Sequence, residues 1–160
     1  MILSQKTSWL IQKSVYIYDR NFDLKYQGFL KMIDMGTAKI LSSQRGPPRT
    51  FTILGTPHYM APEIITGKGY TFNVDLWSVG VCLFEFVCGY VPFAEDAEDP
   101  YEIYEEIIKT DVKFPNHYKD KKGKKIIVQL LNKTPDARLG GSFAGLKANA
   151  WFDGFDWVFN

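Results

Sequence analysis

From Leu76 to Val87 the chain is apolar on almost every side: Leu76, Trp77, Val79, Val81, Cys82, Leu83, Phe84, Phe86 and Val87 leave no polar stripe to face water. This pattern predicts a helix buried on every side, about which the rest of the chain has to be arranged. Asn73-Val74-Asp75 reads as its capping start and Gly89 as the residue just past its end. Glu85 is the exception. A carboxylate is costly to bury unless it is paired or faces a cleft, so Glu85 is either half of a structural ion pair or a group aimed at a ligand. Upstream, the run Gly55-Thr-Pro-His-Tyr-Met-Ala-Pro-Glu63 is too rich in Gly and Pro to be a helix interior. It predicts a shaped loop that positions something at the surface.

A chain of 160 residues is long enough for one domain with a real core, and 46% hydrophobic and 16% aromatic content argue for a folded, soluble globule. Nineteen basic against eighteen acidic residues, net +1, give no reason to expect nucleic acid or an anionic membrane as the main partner. No run resembles a signal peptide or reaches membrane-spanning length, so a cytoplasmic location is expected. Cys82 and Cys88 fall on nearly opposite faces of one predicted helix and are expected to stay reduced and unpaired. No zinc-type spacing occurs.

Ahead of this centre, Ile2, Leu3, Leu10 and Ile11 fit a loose helical stripe, and Ser14–Tyr18 reads as a short strand. Phe22–Lys25 and Phe29–Ile33 predict a hairpin turning at Gly28 and leading into Asp34-Met35-Gly36. An Asp at a strand end followed by Gly is either an ordinary turn or an oxygen ligand for a hard cation. Residues 42–48 form a polar loop, and from pattern alone Thr50 and Thr52 read as β-formers in a strand-like loop. After the central helix, Asp99-Pro100 marks the start of another. The surrounding acidic run from Glu95 to Glu106 is a solvated helix face or an attractor of basic peptides. Lys119–Lys125 is expected to be a polar loop, Ile126, Ile127, Leu130 and Leu131 an amphipathic helix, and Trp151–Trp157 a closing turn.

Several of these segments together resemble the large, C-terminal lobe of AGC-group serine/threonine protein kinases, most closely cGMP-dependent protein kinases of protist type. The motifs are Gly55–Glu63, the Asp75-Leu-Trp-Ser-Val-Gly80 run, Thr134-Pro-Asp-Ala-Arg138-Leu-Gly, and the spacing from Asn21 to Asp34 with Met35 in place of the usual Phe. The resemblance implies a mainly α fold with a small N-terminal β-hairpin, the small lobe being absent. Residues 1–20 would be a divergent remnant of helix and catalytic loop. Residues 21–160 would be the partial kinase domain, comprising metal-ligand hairpin, activation segment and helical subdomain. It further implies Asn21 and Asp34 as Mg²⁺ and ATP-phosphate ligands. Thr52 matches the activation-loop phosphosite, with Lys39 as a partner for the phosphate. Ile53, Pro57 and Met60 match the pocket for the residue after the target Ser or Thr, Thr56 a contact of the catalytic Asp, and Glu85 a binder of a substrate Arg. Asp75 matches the support of the catalytic loop, and Glu63 with Arg138 a buried ion pair.

The catalytic loop departs from the family. Counting back from Asn21, the catalytic Asp position holds Tyr16, the phosphate-contacting Lys position Tyr18, and Val15 stands where an Arg would clamp phosphorylated Thr52. A tyrosine, with a pKa of about 10, does not replace a carboxylate that accepts a hydroxyl proton. The implied function is a partial kinase domain, using Mg-ATP and basic Ser/Thr peptides in the family, inactive as an isolated chain. Two other readings stand beside it: a non-catalytic pseudokinase module that binds a basic peptide or another kinase, and the downstream part of a longer active kinase.

Overall fold

The computed structural model describes residues 8–10, 38–41, 49–53, 55–141 and 143–157. The expected strand at 14–18, the hairpin at 22–33, and Tyr16, Asn21 and Asp34 lie outside the described residues. What is described is mainly helical. Strand β1 (Ser8–Leu10) pairs antiparallel with β2 (Lys39–Leu41), Trp9 opposite Ile40. Five helices follow: α1 (Pro62–Ile65), α2 (Asn73–Cys88), α3 (Pro100–Lys109), α4 (Lys121–Leu130) and α5 (Phe143–Lys147). Single 3-10 turns stand at Pro57–Tyr59, Pro135–Ala137 and Ala150–Phe152.

The loose helical stripe expected near Leu10 is overturned at Ser8–Leu10, which is strand. Its hydrogen bonds come from a segment far along the chain, a partner that local periodicity does not reveal.

Helix α2 is the centre of the core. Val74, Trp77, Val81 and Phe84 are at most 1% exposed, and Trp77 stacks on Phe93 at 5.8 Å between ring centroids. It packs on α4 at Gly80, where a Cβ would lie 2.9 Å from Leu130 Cβ, so only glycine permits the approach. It ends at Gly89, whose φ of 91° is the left-handed cap and whose N–H donates to the Glu85 carbonyl at 2.8 Å.

Two expectations for α2 need correcting. The capping start does not form: Phe72 occupies the cap position without a side-chain bond, and the Asn73 amide instead donates to the Pro135 carbonyl at 3.4 Å. Nor is the helix buried on every side. Val79 and Phe86 are 50% and 69% exposed and share one face, so the core covers only part of the circumference.

α3 begins as read. Asp99 accepts from the Tyr101 N–H at 3.0 Å and Pro100 opens the helix. α4 begins earlier than read: Lys121–Lys125 are helical rather than loop. Asp120 caps them through the Lys122 N–H at 2.9 Å, and burial of Ile126, Ile127 and Leu130 at no more than 2% exposure holds the lysine turn in register. Cys82 and Cys88 are both buried, and they are not joined in a disulfide.

Candidate functional site

The segment from Thr50 to Glu63 is fastened at four points. Its upstream end is joined to Tyr70 by a backbone bridge, Thr50 and Tyr70 exchanging N–H···O bonds of 3.0 and 2.9 Å. The Tyr70 hydroxyl adds a bond to the Thr52 carbonyl. Lys39, on β2, donates Nζ to Thr50 Oγ1 at 2.9 Å and to Thr52 Oγ1 at 3.4 Å. Of these two hydroxyls, Thr50 is buried and Thr52 exposed.

The Pro57–Tyr59 turn is the second fastening. Pro57 supplies the fixed φ, and the Tyr59 and Met60 N–H groups close back on the carbonyls of Thr56 and Pro57 at 3.1 and 3.0 Å. The Tyr59 hydroxyl then donates to Glu85 Oε2 at 2.7 Å, and its carbonyl accepts from Ser78 Oγ at 3.0 Å. His58 Nε2–H donates to the Ala94 carbonyl at 3.0 Å. Two adjacent side chains therefore reach two different anchor points.

Glu85 meets a neutral group, not a cation. Among the described residues no Lys or Arg pairs with it, so the structural ion-pair reading has no partner there. Half-buried and oriented by Tyr59, its carboxylate presents the acceptor geometry that a guanidinium matches with two N–H bonds. Burial pushes the Tyr59 phenol well above the ordinary tyrosine range, and the hydrogen bond and charge of Glu85 push the same way. Tyr59 thus stays protonated as a donor.

The third fastening is Glu63 with Arg138. Arg138 Nη1 and Nη2 donate to the two Glu63 oxygens at 2.7 and 2.9 Å, with the Arg side chain fully buried. Arg138 also donates to the Asn132 and Asn73 carbonyls at 3.0 and 2.8 Å, and lies over the Trp77 ring at 5.3 Å. The fourth is the close of α1, where Thr66 N–H and Oγ1 both return to the Pro62 carbonyl at 2.9 Å.

Of the residues expected in the peptide pocket, Ile53 is 54% exposed and Pro57 half-buried, while Met60 is 5% exposed and belongs to the core cluster. Thr56 is half-buried beside them and Asp75 stands in the first turn of α2. Sequence reasoning did not assign Tyr59, Ser78 or His58. Tyr59 and His58 were visible inside the Gly55–Glu63 motif, but their partners, Glu85 and Ala94, are distant in sequence. Among the described residues no cluster of three or more His, Cys, Asp or Glu could hold a metal, and no helix is long and apolar enough to cross a membrane.

Comparison with known proteins gives a consistent picture. The sequence model of the protein kinase domain matches residues 17–152. A cGMP-dependent protein kinase of Toxoplasma gondii is 43% identical over 155 residues, covering 89% of this chain and 15% of that protein. A cGMP-dependent protein kinase of Plasmodium berghei (strain Anka) is 42% identical over 155 residues, covering 93% and 18%. A cAMP-dependent protein kinase catalytic subunit of Dictyostelium discoideum is 39% identical over 140 residues, covering 86% and 20%. The chain therefore spans a fifth or less of the length of these relatives.

Proposed function

This chain belongs to the protein kinase family and resembles its cGMP-dependent members, and we propose that it forms the peptide-positioning side of an ATP-dependent serine/threonine kinase site. The observation that carries this reading is the Tyr59–Glu85 pair. It is a half-buried carboxylate with no cationic partner among the described residues, held in one orientation by a phenol that stays protonated. Such a group is suited to an arginine of a basic peptide. Ile53 and Pro57, at the surface of the same segment, would take the residue after the target hydroxyl, with Met60 closing the floor from the core.

Thr52 is the site at which phosphorylation would act. Its hydroxyl is exposed and already within 3.4 Å of the Lys39 ammonium, so a phosphate there gains a charge-assisted bond with little rearrangement. Asn21 and Asp34 would hold Mg²⁺. An amide oxygen and a carboxylate are hard donors of the kind that ion prefers, and the bound Mg-ATP would supply the phosphoryl group. With Tyr16 at the position of the proton-accepting Asp, this chain by itself binds peptide without phosphorylating it.

The test is titration of the 160-residue chain with an arginine-containing serine peptide. Saturable binding that is lost in Glu85→Ala is expected, and no saturable binding by the native chain refutes the peptide reading. Phosphate transfer to that peptide by this chain, abolished in Asp34→Ala, would overturn the assignment of inactivity.

A further inference from the structure

Among the described residues Ala94 is the one non-glycine residue with positive φ, at 49°. That left-handed region places Cβ against the following carbonyl and persists only where surrounding contacts over-determine it. At Ala94 the contacts converge on its carbonyl oxygen, which accepts the Ala97 N–H at 3.1 Å and His58 Nε2–H at 3.0 Å. A carbonyl can only accept, so the ring proton must sit on Nε2 and the tautomer is fixed. His58 comes from the Pro57–Tyr59 turn, whose next residue holds Glu85.

We propose that His58 is a positioning residue for the peptide site: through Ala94 it ties the Pro57–Tyr59 turn to the connection between α2 and α3, and thereby fixes the Tyr59 hydroxyl on Glu85. The geometry is a two-point clamp. Tyr59 ties the turn to α2 at two places, its hydroxyl on Glu85 and its carbonyl on Ser78, but both lie on one helix and leave the turn able to pivot about it. The bond from His58 runs to a backbone atom beyond that helix, itself locked in a rare conformation, and opposes that pivot. A carboxylate that must accept two parallel N–H bonds from a guanidinium is sensitive to such a pivot. The side chain required at position 58 is one that donates from the reach of Nε2. Glutamine meets that requirement and leucine does not.

The link to peptide affinity rests on the peptide reading above, so the test has two arms that fail separately. The first compares the wild-type chain, His58→Gln and His58→Leu by nuclear magnetic resonance without peptide. A protonated Nε2 in long-range ¹H–¹⁵N spectra is expected in the wild type. The Tyr59 ring and Glu85 carboxyl resonances should shift in His58→Leu and stay in place in His58→Gln. An Nε2 without its proton, or resonances indifferent to His58→Leu, overturns the clamp. The second arm titrates each chain with the arginine-containing peptide. His58→Leu should weaken binding roughly 3- to 10-fold, the value of one lost hydrogen bond, and His58→Gln should recover most of it. Equal affinities for wild type and His58→Leu, or no recovery in His58→Gln, overturn the positioning role. Absence of binding in the wild type refutes the peptide reading alone, and the first arm then decides the clamp.

Discussion

Removing Arg138 is the sharpest test of how this lobe is held together. The guanidinium is fully buried and, among the described residues, makes four hydrogen bonds: two to Glu63 at 2.7 and 2.9 Å, and one each to the Asn132 and Asn73 carbonyls at 3.0 and 2.8 Å. Arg138→Met fills much of the volume and keeps contact with Trp77, yet leaves the Glu63 carboxylate buried without its counter-charge. Breaking a buried pair from one side costs about 3–5 kcal/mol. Because the two carbonyls can re-solvate in part, we take about 4 kcal/mol as the expected loss. In urea, with a slope of about 2 kcal/mol/M, the midpoint should fall by about 2 M at unchanged slope. Such a loss is a large fraction of a typical domain stability of about 5–15 kcal/mol. The double variant Glu63→Leu with Arg138→Met removes both charges and should be markedly more stable than Arg138→Met alone. A midpoint shift equivalent to less than about 1 kcal/mol in Arg138→Met would mean that the pair behaves as an exposed one. That result, or a double variant no more stable than the single, would refute the reasoning.

Other outcomes follow from the same contacts. Gly80→Ala adds a methyl group 2.9 Å from Leu130 Cβ, and overpacking of about 1–3 kcal/mol outweighs the gain in helix propensity of about 1 kcal/mol, so thermal unfolding should move to lower temperature. The raised phenol pKa of Tyr59 contributes stability that is fully present below its ordinary value of 10 and is lost as pH rises through the folded value. Urea midpoints measured from neutral to alkaline pH should therefore decline more steeply above pH 10 for the wild type than for Tyr59→Phe. Cys82 and Cys88 are buried, and burial also raises the Cys88 thiol. Both should react with a disulfide reagent far more slowly in the folded chain than in denaturant, and two rapidly titrating thiols would contradict the packing of α2.

Much of this protein was legible in order along the chain. The central helix is marked by its apolar run and its terminal Gly89, α3 by Asp99-Pro100, and the positioning loop by its Gly and Pro content. Each signal is local, because each depends on what a residue does to its own backbone. The family is also written in the sequence, since motif spacing along a chain needs no contact to be read.

The tertiary structure decided what those local signals leave open. Val79 and Phe86 are as apolar as Phe84, yet they are exposed, because the side of a helix that is covered depends on where other elements pack. Asn73 has the composition of a cap but is drawn to Pro135, and the lysine-rich turn at 121–125 is helical because the residues after it are buried. At the site the difference is sharpest. Glu85 was suspect from its burial alone, but only the fold supplies Tyr59 as the group that orients it, and Ala94 as the carbonyl that fixes His58. A hydrogen bond between residues distant in sequence is set by the packing of whole elements, and that packing is where the sequence, read residue by residue, is silent.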